Sequence, residues 1–247
     1  MKAIGIDIGG SAVKGAVVNL KTGKLESDRL RIPTPSPSTP KAISRVVARI
    51  AAHFEWKGLI GCGMPGAIKH GKLLAIANLD QSWIGTVASE VFGKACGAKV
   101  AVINDADAAG LAEMRFGAGK NQRGVVVVVT LGTGIGSAVF VNGALLPNSE
   151  LGQMEVRGKT AEQRAAARIR KEKNLSWEKY GKRLNESFLA LEMLIWPDLI
   201  IVGGGVSRKA NKFLPLLTTH ARVVPARLGN EAGIVGAALS TMQRSAG

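Results

Sequence analysis

Asp7 heads the string Asp7-Ile8-Gly9-Gly10-Ser11, which sets a carboxylate beside a turn of small residues. Glycines let backbone N–H groups approach the oxygens of an anion with no side chain in the way. Ser11 and Lys14 extend this candidate phosphate contact. The carboxylate can hold Mg²⁺ through water, because that ion sheds its own waters reluctantly. The same string also fits an ordinary hairpin with a solvated Asp. A second cluster, Gly132-Thr133-Gly134-Ile135-Gly136, lacks the spacing of a dinucleotide fingerprint and runs into strand rather than helix. It reads as a second phosphate cradle through Thr133, Gly134 and Gly136. Gly203-Gly204-Gly205 lies between a buried strand and an expected helix, where a helix N-terminus accepts an anion or a nucleotide.

The elements that must position these turns follow from periodicity. Residues 4–8 and 12–18 read as strands around the first glycine turn, and 125–130 and 137–141 as strands around the second. One plan thus occurs at the start of each half of the chain, which argues for a duplicated architecture. Asn142-Gly143 closes a further hairpin, having the turn chemistry that positive φ requires. The proline-rich stretch 33–40 reads as stiff and extended. Ile43, Val46, Val47 and Ile50 fall at helical spacing. The apolar run 100–103 delivers Asn104-Asp105 at its C-terminal end, with helix expected over 106–114. Thr160 and Gln163 form a capping-box signature for one helix to about residue 173. An apolar helix is expected over 185–196, a buried strand over 199–202, and a small-residue helix over 231–242. Strands alternating with helices argue for an α/β fold. The boundary falls within 106–119, giving domains 1–110 and 111–230, with the last helix, about 231–247, returning to the first.

Composition narrows the classes. Apolar residues make up 46% of 247 residues, enough for a sizeable core, while aromatics are only 4%. No run approaches the ~18 to 20 apolar residues of a membrane span, and the N-terminus reads directly as strand. Cys62 and Cys96 fit no zinc spacing and no disulfide framework, so the expected compartment is the cytoplasm. Lys and Arg number 33 against 18 Asp and Glu, a net charge of +15. Such a field gathers polyanions. Nucleic acid, acidic membrane and polyphosphate all fit, and so does a surface tuned for solubility.

The strings 5–10, 103–109, 130–136 and 201–206 together resemble the ROK family (repressors, open reading frames, kinases), nearly end to end. Local strings at 35–40, 147–152, 175–177 and 230–238 resemble its polyphosphate-using branch. The resemblance implies an actin-like (ribonuclease H-like) two-domain sugar kinase with its sugar site in the interdomain cleft. It also implies Mg²⁺, a homodimer, and transfer of phosphate from polyphosphate, ATP or both to the 6-hydroxyl of glucose, with mannose as the other sugar. Asn104 and Asp105 would bind the sugar's 4- and 6-hydroxyls, Asp105 as catalytic base. Gly66, Asn78, Glu150 and Glu162 would be further sugar contacts by position. For Asp105 a helix N-cap is the bland role, and the two are compatible.

Two departures matter. Many family members carry a His just after the Glu-x-Gly string and a Cys-x-Cys cluster. Here Gln153 stands at the His position and no cysteines follow, so zinc is not expected and Gln153 becomes a sugar contact. The helix-turn-helix of the repressor branch has no counterpart, and aromatics are not interleaved with the basic residues, which speaks against nucleic acid. Arg164, Arg168 and Lys171 fall on one face of the expected 160–173 helix, with Arg170 and Lys173 widening the patch. With Arg115, Lys120 and Arg123 they form a candidate polyphosphate track, or else a solvated face. A strictly ATP-dependent hexokinase and a non-catalytic sugar or polyanion binder are the alternatives.

Overall fold

The structure is a computed structural model that describes residues 1–242. The last part of the expected C-terminal helix, 243–247, lies outside the described residues. The first sheet contains β1 (Lys2–Ile8), β2 (Ala12–Asn19), β3 (Leu30–Pro33), β4 (Ile60–Met64) and β5 (Val100–Asn104), in the order β3-β2-β1-β4-β5. The second contains β6 (Val125–Leu131), β7 (Ile135–Val141), β8 (Ala144–Leu146), β9 (Leu199–Gly203) and β10 (Arg222–Pro225), in the order β8-β7-β6-β9-β10. In each sheet the first three strands pair antiparallel and the next two join parallel. The duplicated plan is therefore present in strand order, direction and the placing of both glycine turns. Central strands covered on both faces need unbroken apolar runs, which is what residues 125–129 and 199–202 supply.

The chain divides into two compact units, Met1–Ala112 with the segment from Glu231, and Glu113–Asn230. In the first, Thr39 caps α1 (Pro40–His53) and Pro40 occupies its first position. Ile43, Val47 and Ile50 are buried as their spacing requires. A second helix, α2 (Ala88–Cys96), was not legible from its mixed pattern; it brings Phe92 against the buried Trp83. The helix α3 (Asp105–Phe116) follows β5 directly.

The last helix, α7 (Ala232–Ser240), lies on the first sheet at backbone distance. A Cβ at Gly5 would stand 1.8 Å from the Ile234 carbonyl oxygen, and one at Gly61 1.7 Å from that of Ala237. A Cβ at Gly236 would in turn stand 1.6 Å from the Ala108 oxygen. All three glycines are set by this approach, not by turn geometry.

Three expectations in the second unit are corrected. The single helix over 160–173 is two, α4 (Ala161–Ala165) and α5 (Ala167–Glu172), because Ala166 is extended at φ −57°, ψ 148°. The capping box is present, but the Arg168 N–H leaves the helical ladder and donates to the Gly132 carbonyl at 3.1 Å. The helix expected over 185–196, α6 (Trp177–Ile195), begins eight residues earlier at the Ser176 cap. Its early turns are charged on the outside, which hides the buried Tyr180 and Leu184. After Gly205 the chain forms 3₁₀ turns over Gly205–Lys212, with Lys209 non-helical.

Two buried glutamates fasten loops of this unit. Glu113 accepts the N–H groups of Ala118, Arg227 and Leu228, and Glu192 those of His220 and Ala221.

Gly236→Ala is expected to cost about 3 kcal/mol or more, the upper end of overpacking, since backbone rather than a flexible side chain must yield. Urea denaturation measures it, and a loss below about 0.5 kcal/mol would contradict the close packing.

Candidate active site

In the first unit the site begins with Asn104, 5% exposed at the end of β5. Its Oδ1 accepts the N–H groups of Ala106 at 2.8 Å and Asp107 at 3.0 Å, and its Nδ2 donates to the Gly66 carbonyl at 3.1 Å. Asn104, not Asp105, thus caps α3, an interaction worth about 1 kcal/mol. This leaves Asp105 as the first residue of the helix, half-buried, its Oδ1 accepting the Ala106 N–H at 2.8 Å. A carboxylate in that turn is favoured by the helix dipole. Gly66 is buried against the Ala75 carbonyl, where a Cβ would come within 2.2 Å.

The phosphate turn lies in the same unit. The Gly9 N–H donates to the Ala12 carbonyl at 3.1 Å, and Thr34 fastens the turn through the carbonyls of Gly9 and Ser11. Asp7 Oδ2 accepts from Lys14 Nζ at 3.2 Å. Gly233 on α7 faces the Asp7 carboxyl, its absent Cβ 3.1 Å from Cγ. Asn78, at φ 60°, lies against Gly10, so the structure brings this expected sugar contact to the edge of the phosphate turn.

In the second unit, Glu162 at the start of α4 accepts the Ile135 N–H at 2.9 Å and lies under Gly134, where a Cβ would stand 2.3 Å from its carboxylate. This carboxylate therefore supports the second glycine turn from below. Ser137 on β7 holds the loop before Glu150: its hydroxyl donates to the Ser149 carbonyl at 2.6 Å and accepts the Leu151 N–H at 2.9 Å. Gly152 packs on the Ile135 carbonyl in the 3₁₀ turn that carries the exposed Gln153. Ser137 went unread in the sequence, where a lone serine in an apolar strand gives no signal.

Between this glycine turn, α5 and the 3₁₀ turns after Gly205 opens a cavity of about 620 Å³. Gly132, Thr133 and Gly205 line it together with Arg168, Lys171 and Lys209. Gly204, at φ 79°, sits on the backbone of Leu131 and joins the third glycine cluster to the end of β6, while Gly203 ends β9. Arg170 and Trp177 complete the wall, the guanidinium 3.8 Å from the ring centroid. An aromatic therefore does stand among the basic groups, brought there by the fold and not by sequence spacing.

The break at Ala166 also separates the expected basic track. Arg168 and Lys171 line the cavity, but Arg164, on the other helix, pairs with Glu186, which also accepts from Arg157 at 3.0 Å. Arg115, Lys120 and Arg123 are exposed and outside the cavity wall.

Residues 3–154 match the profile of the ROK family. The chain belongs to the ROK family. It is 50% identical over 239 residues to a polyphosphate glucokinase of Mycobacterium tuberculosis, covering 96% of this chain and 90% of that one. To the polyphosphate glucokinase of Mycobacterium leprae it is 46% identical over 241 residues, 97% of this chain and 74% of the relative. Among solved structures, the inorganic polyphosphate/ATP-glucomannokinase of Arthrobacter sp. strain KM superposes with a TM-score of 0.94 at 46% identity, 98% of each chain being covered. The ROK sugar-kinase fold, actin-like and mixed α/β, is thus the fold of this chain.

Burial around the 3₁₀ turn raises the Glu150 carboxyl above its ordinary range, and the Glu162 carboxylate pushes it the same way. The folded chain holds this proton to higher pH than the unfolded chain, so the contribution of Glu150 to stability falls as pH rises between the two values. Glu150→Gln removes that titration. Its stability relative to the native chain is expected to rise as pH climbs above the ordinary carboxylate range of about 4, read by denaturation at each pH. A difference that stays flat would contradict the assignment.

Proposed function

We propose that the chain is a kinase that moves a phosphoryl group from inorganic polyphosphate, with ATP as a second donor, to the 6-hydroxyl of glucose. The observation that carries this reading is the likeness, nearly end to end, to polyphosphate glucokinases at 50% and 46% identity. The geometry supports it within each unit. The first offers a positioned carboxylate and amide, Asp105 and Asn104, beside Gly66. The second offers a cationic cavity beside two glycine turns.

In this reading Asp105 accepts the proton of the sugar hydroxyl as its oxygen bonds to the terminal phosphorus. The bond from that phosphorus to its bridging oxygen breaks, and the donor leaves one phosphate shorter. Base catalysis of this kind contributes about 10² to 10⁴ in rate. Holding the phosphoryl oxygens supplies the remainder, a task for backbone N–H groups of the glycine turns and for the basic wall. Glu150, Gln153 and Glu162 would serve the sugar from the second unit, and Gly66, Asn78 and Asn104 from the first.

Asp7 fits Mg²⁺. It is a single carboxylate, partly engaged by Lys14, beside a turn free of side chains, which suits an ion held through water and through the phosphates of the donor. When bound, the ion neutralises charge on the phosphoryl oxygens. The reading retains the homodimer and the cytoplasm that the family resemblance implies; among the described residues no helix is long and apolar enough to cross a membrane.

The first test is glucose 6-phosphate formation with Mg²⁺, comparing long-chain polyphosphate with ATP. Asp105→Asn should lower kcat by at least about 10²-fold while glucose affinity stays near native. Full turnover in that variant would overturn the role of the base, and no product from either donor would overturn the function.

Charge reversal separates the two halves of the basic segment. Lys171→Glu is expected to raise KM for polyphosphate at least about tenfold, as loss of one charged contact does, with KM for glucose unchanged. Arg164→Glu, which sets like charges against Glu186, should act mainly on the melting temperature. Equal effects of both on polyphosphate KM would restore the single track.

A further inference from the structure

The cavity wall contains one cation whose role differs from the others. Arg168 pairs with Glu172 at 3.6 Å, whereas Arg170 forms no ion pair among the described residues. Its guanidinium carbon stands 3.8 Å from the centroid of the Trp177 ring, and Lys212 Nζ 5.8 Å from the same ring. The indole is itself fixed, stacked on Phe213 at 6.0 Å and 13° and meeting the edge of Tyr180 at 6.1 Å. The Arg170 Nε is buried and has no hydrogen-bond partner among the described residues. A buried guanidinium N–H without an acceptor is costly, and a phosphate oxygen is the acceptor it suits best.

We propose that Arg170, laid on Trp177, sets the donor preference of this cavity toward inorganic polyphosphate and against a nucleotide. The inference deepens the kinase reading above and rests on it. A purine gains from stacking on an aromatic face, and here a guanidinium already occupies that face. The covered ring presents positive charge and N–H donors instead, which recognise a chain of phosphates and nothing of a base. Lys209 and Lys212 extend the same charge along the 3₁₀ turns. Removal of the arginine would both take away a phosphate contact and uncover the indole.

The test is kcat/KM for long-chain polyphosphate and for ATP, at saturating glucose, in the native chain, Arg170→Ala and Arg170→Lys. Arg170→Ala is expected to lower polyphosphate efficiency at least about tenfold, the value of one hydrogen bond to a charged group, and to leave ATP efficiency equal or higher. Arg170→Lys, which keeps charge but loses the planar fork, should recover part of the polyphosphate efficiency. If alanine does not fold, Arg170→Met keeps an apolar stem over the ring and gives the same readout. Loss on both donors by one factor, or an unmoved ratio, overturns the proposal. Should the native chain transfer from neither donor, the kinase reading fails. Calorimetric affinities of polyphosphate and ATP for the same variants then decide the claim for Arg170 by the same ratio.

Discussion

The first unit depends on backbone meeting backbone. Where α7 crosses β1 and β4, the carbonyls of Ile234 and Ala237 occupy the places that side chains of Gly5 and Gly61 would fill. At these two crossings a Cβ has no room, so the geometry there has almost no tolerance. The position of Gly233 against Asp7 follows from it, and with it the conformation of the carboxylate at the phosphate turn. The hydrophobic effect supplies the driving force through Ile234, Val235 and Leu239. The glycines decide where that force brings the helix to rest.

Each glycine turn is held differently, although the strands that carry them are repeated. The first is fastened by Thr34 and faces Asp7. The second rests on Glu162, one oxygen of whose carboxylate accepts the Ile135 N–H. A repeated frame has thus been given one acidic turn open to a cation and one turn set among cations.

Much of the frame was legible because period and turn chemistry act locally. The paired strands around each glycine cluster, the hairpin at Asn142-Gly143 and the capping box at Thr160 each depend on neighbours in sequence. What escaped depends on neighbours in space. Ala166 is an ordinary helix former, and only the hydrogen bond from Arg168 to Gly132 shows why the helix breaks there. Trp177 lies seven residues beyond Arg170 in sequence, across the end of α5, and the fold sets it against that guanidinium. Glu113 and Glu192 carried no signal in the sequence, yet each is buried beneath loop N–H groups. Asp105 was read at the right place, but its cap belongs to Asn104, since two adjacent polar residues at a strand end cannot be told apart by spacing alone.

The break at Ala166 makes α5 a cassette. Six residues, Ala167–Glu172, lie between the extended Ala166 and the last turn before Ser176, tied to the glycine turn through the Arg168 N–H and to the core through Ile169. Main-chain anchoring is indifferent to side-chain identity, and the capping box of α4 sits wholly upstream. The exposed charges of Arg168 and Lys171 can therefore be exchanged over generations with little cost to folding. A lineage can thus retune the charge of this cavity wall without disturbing the fold that holds it.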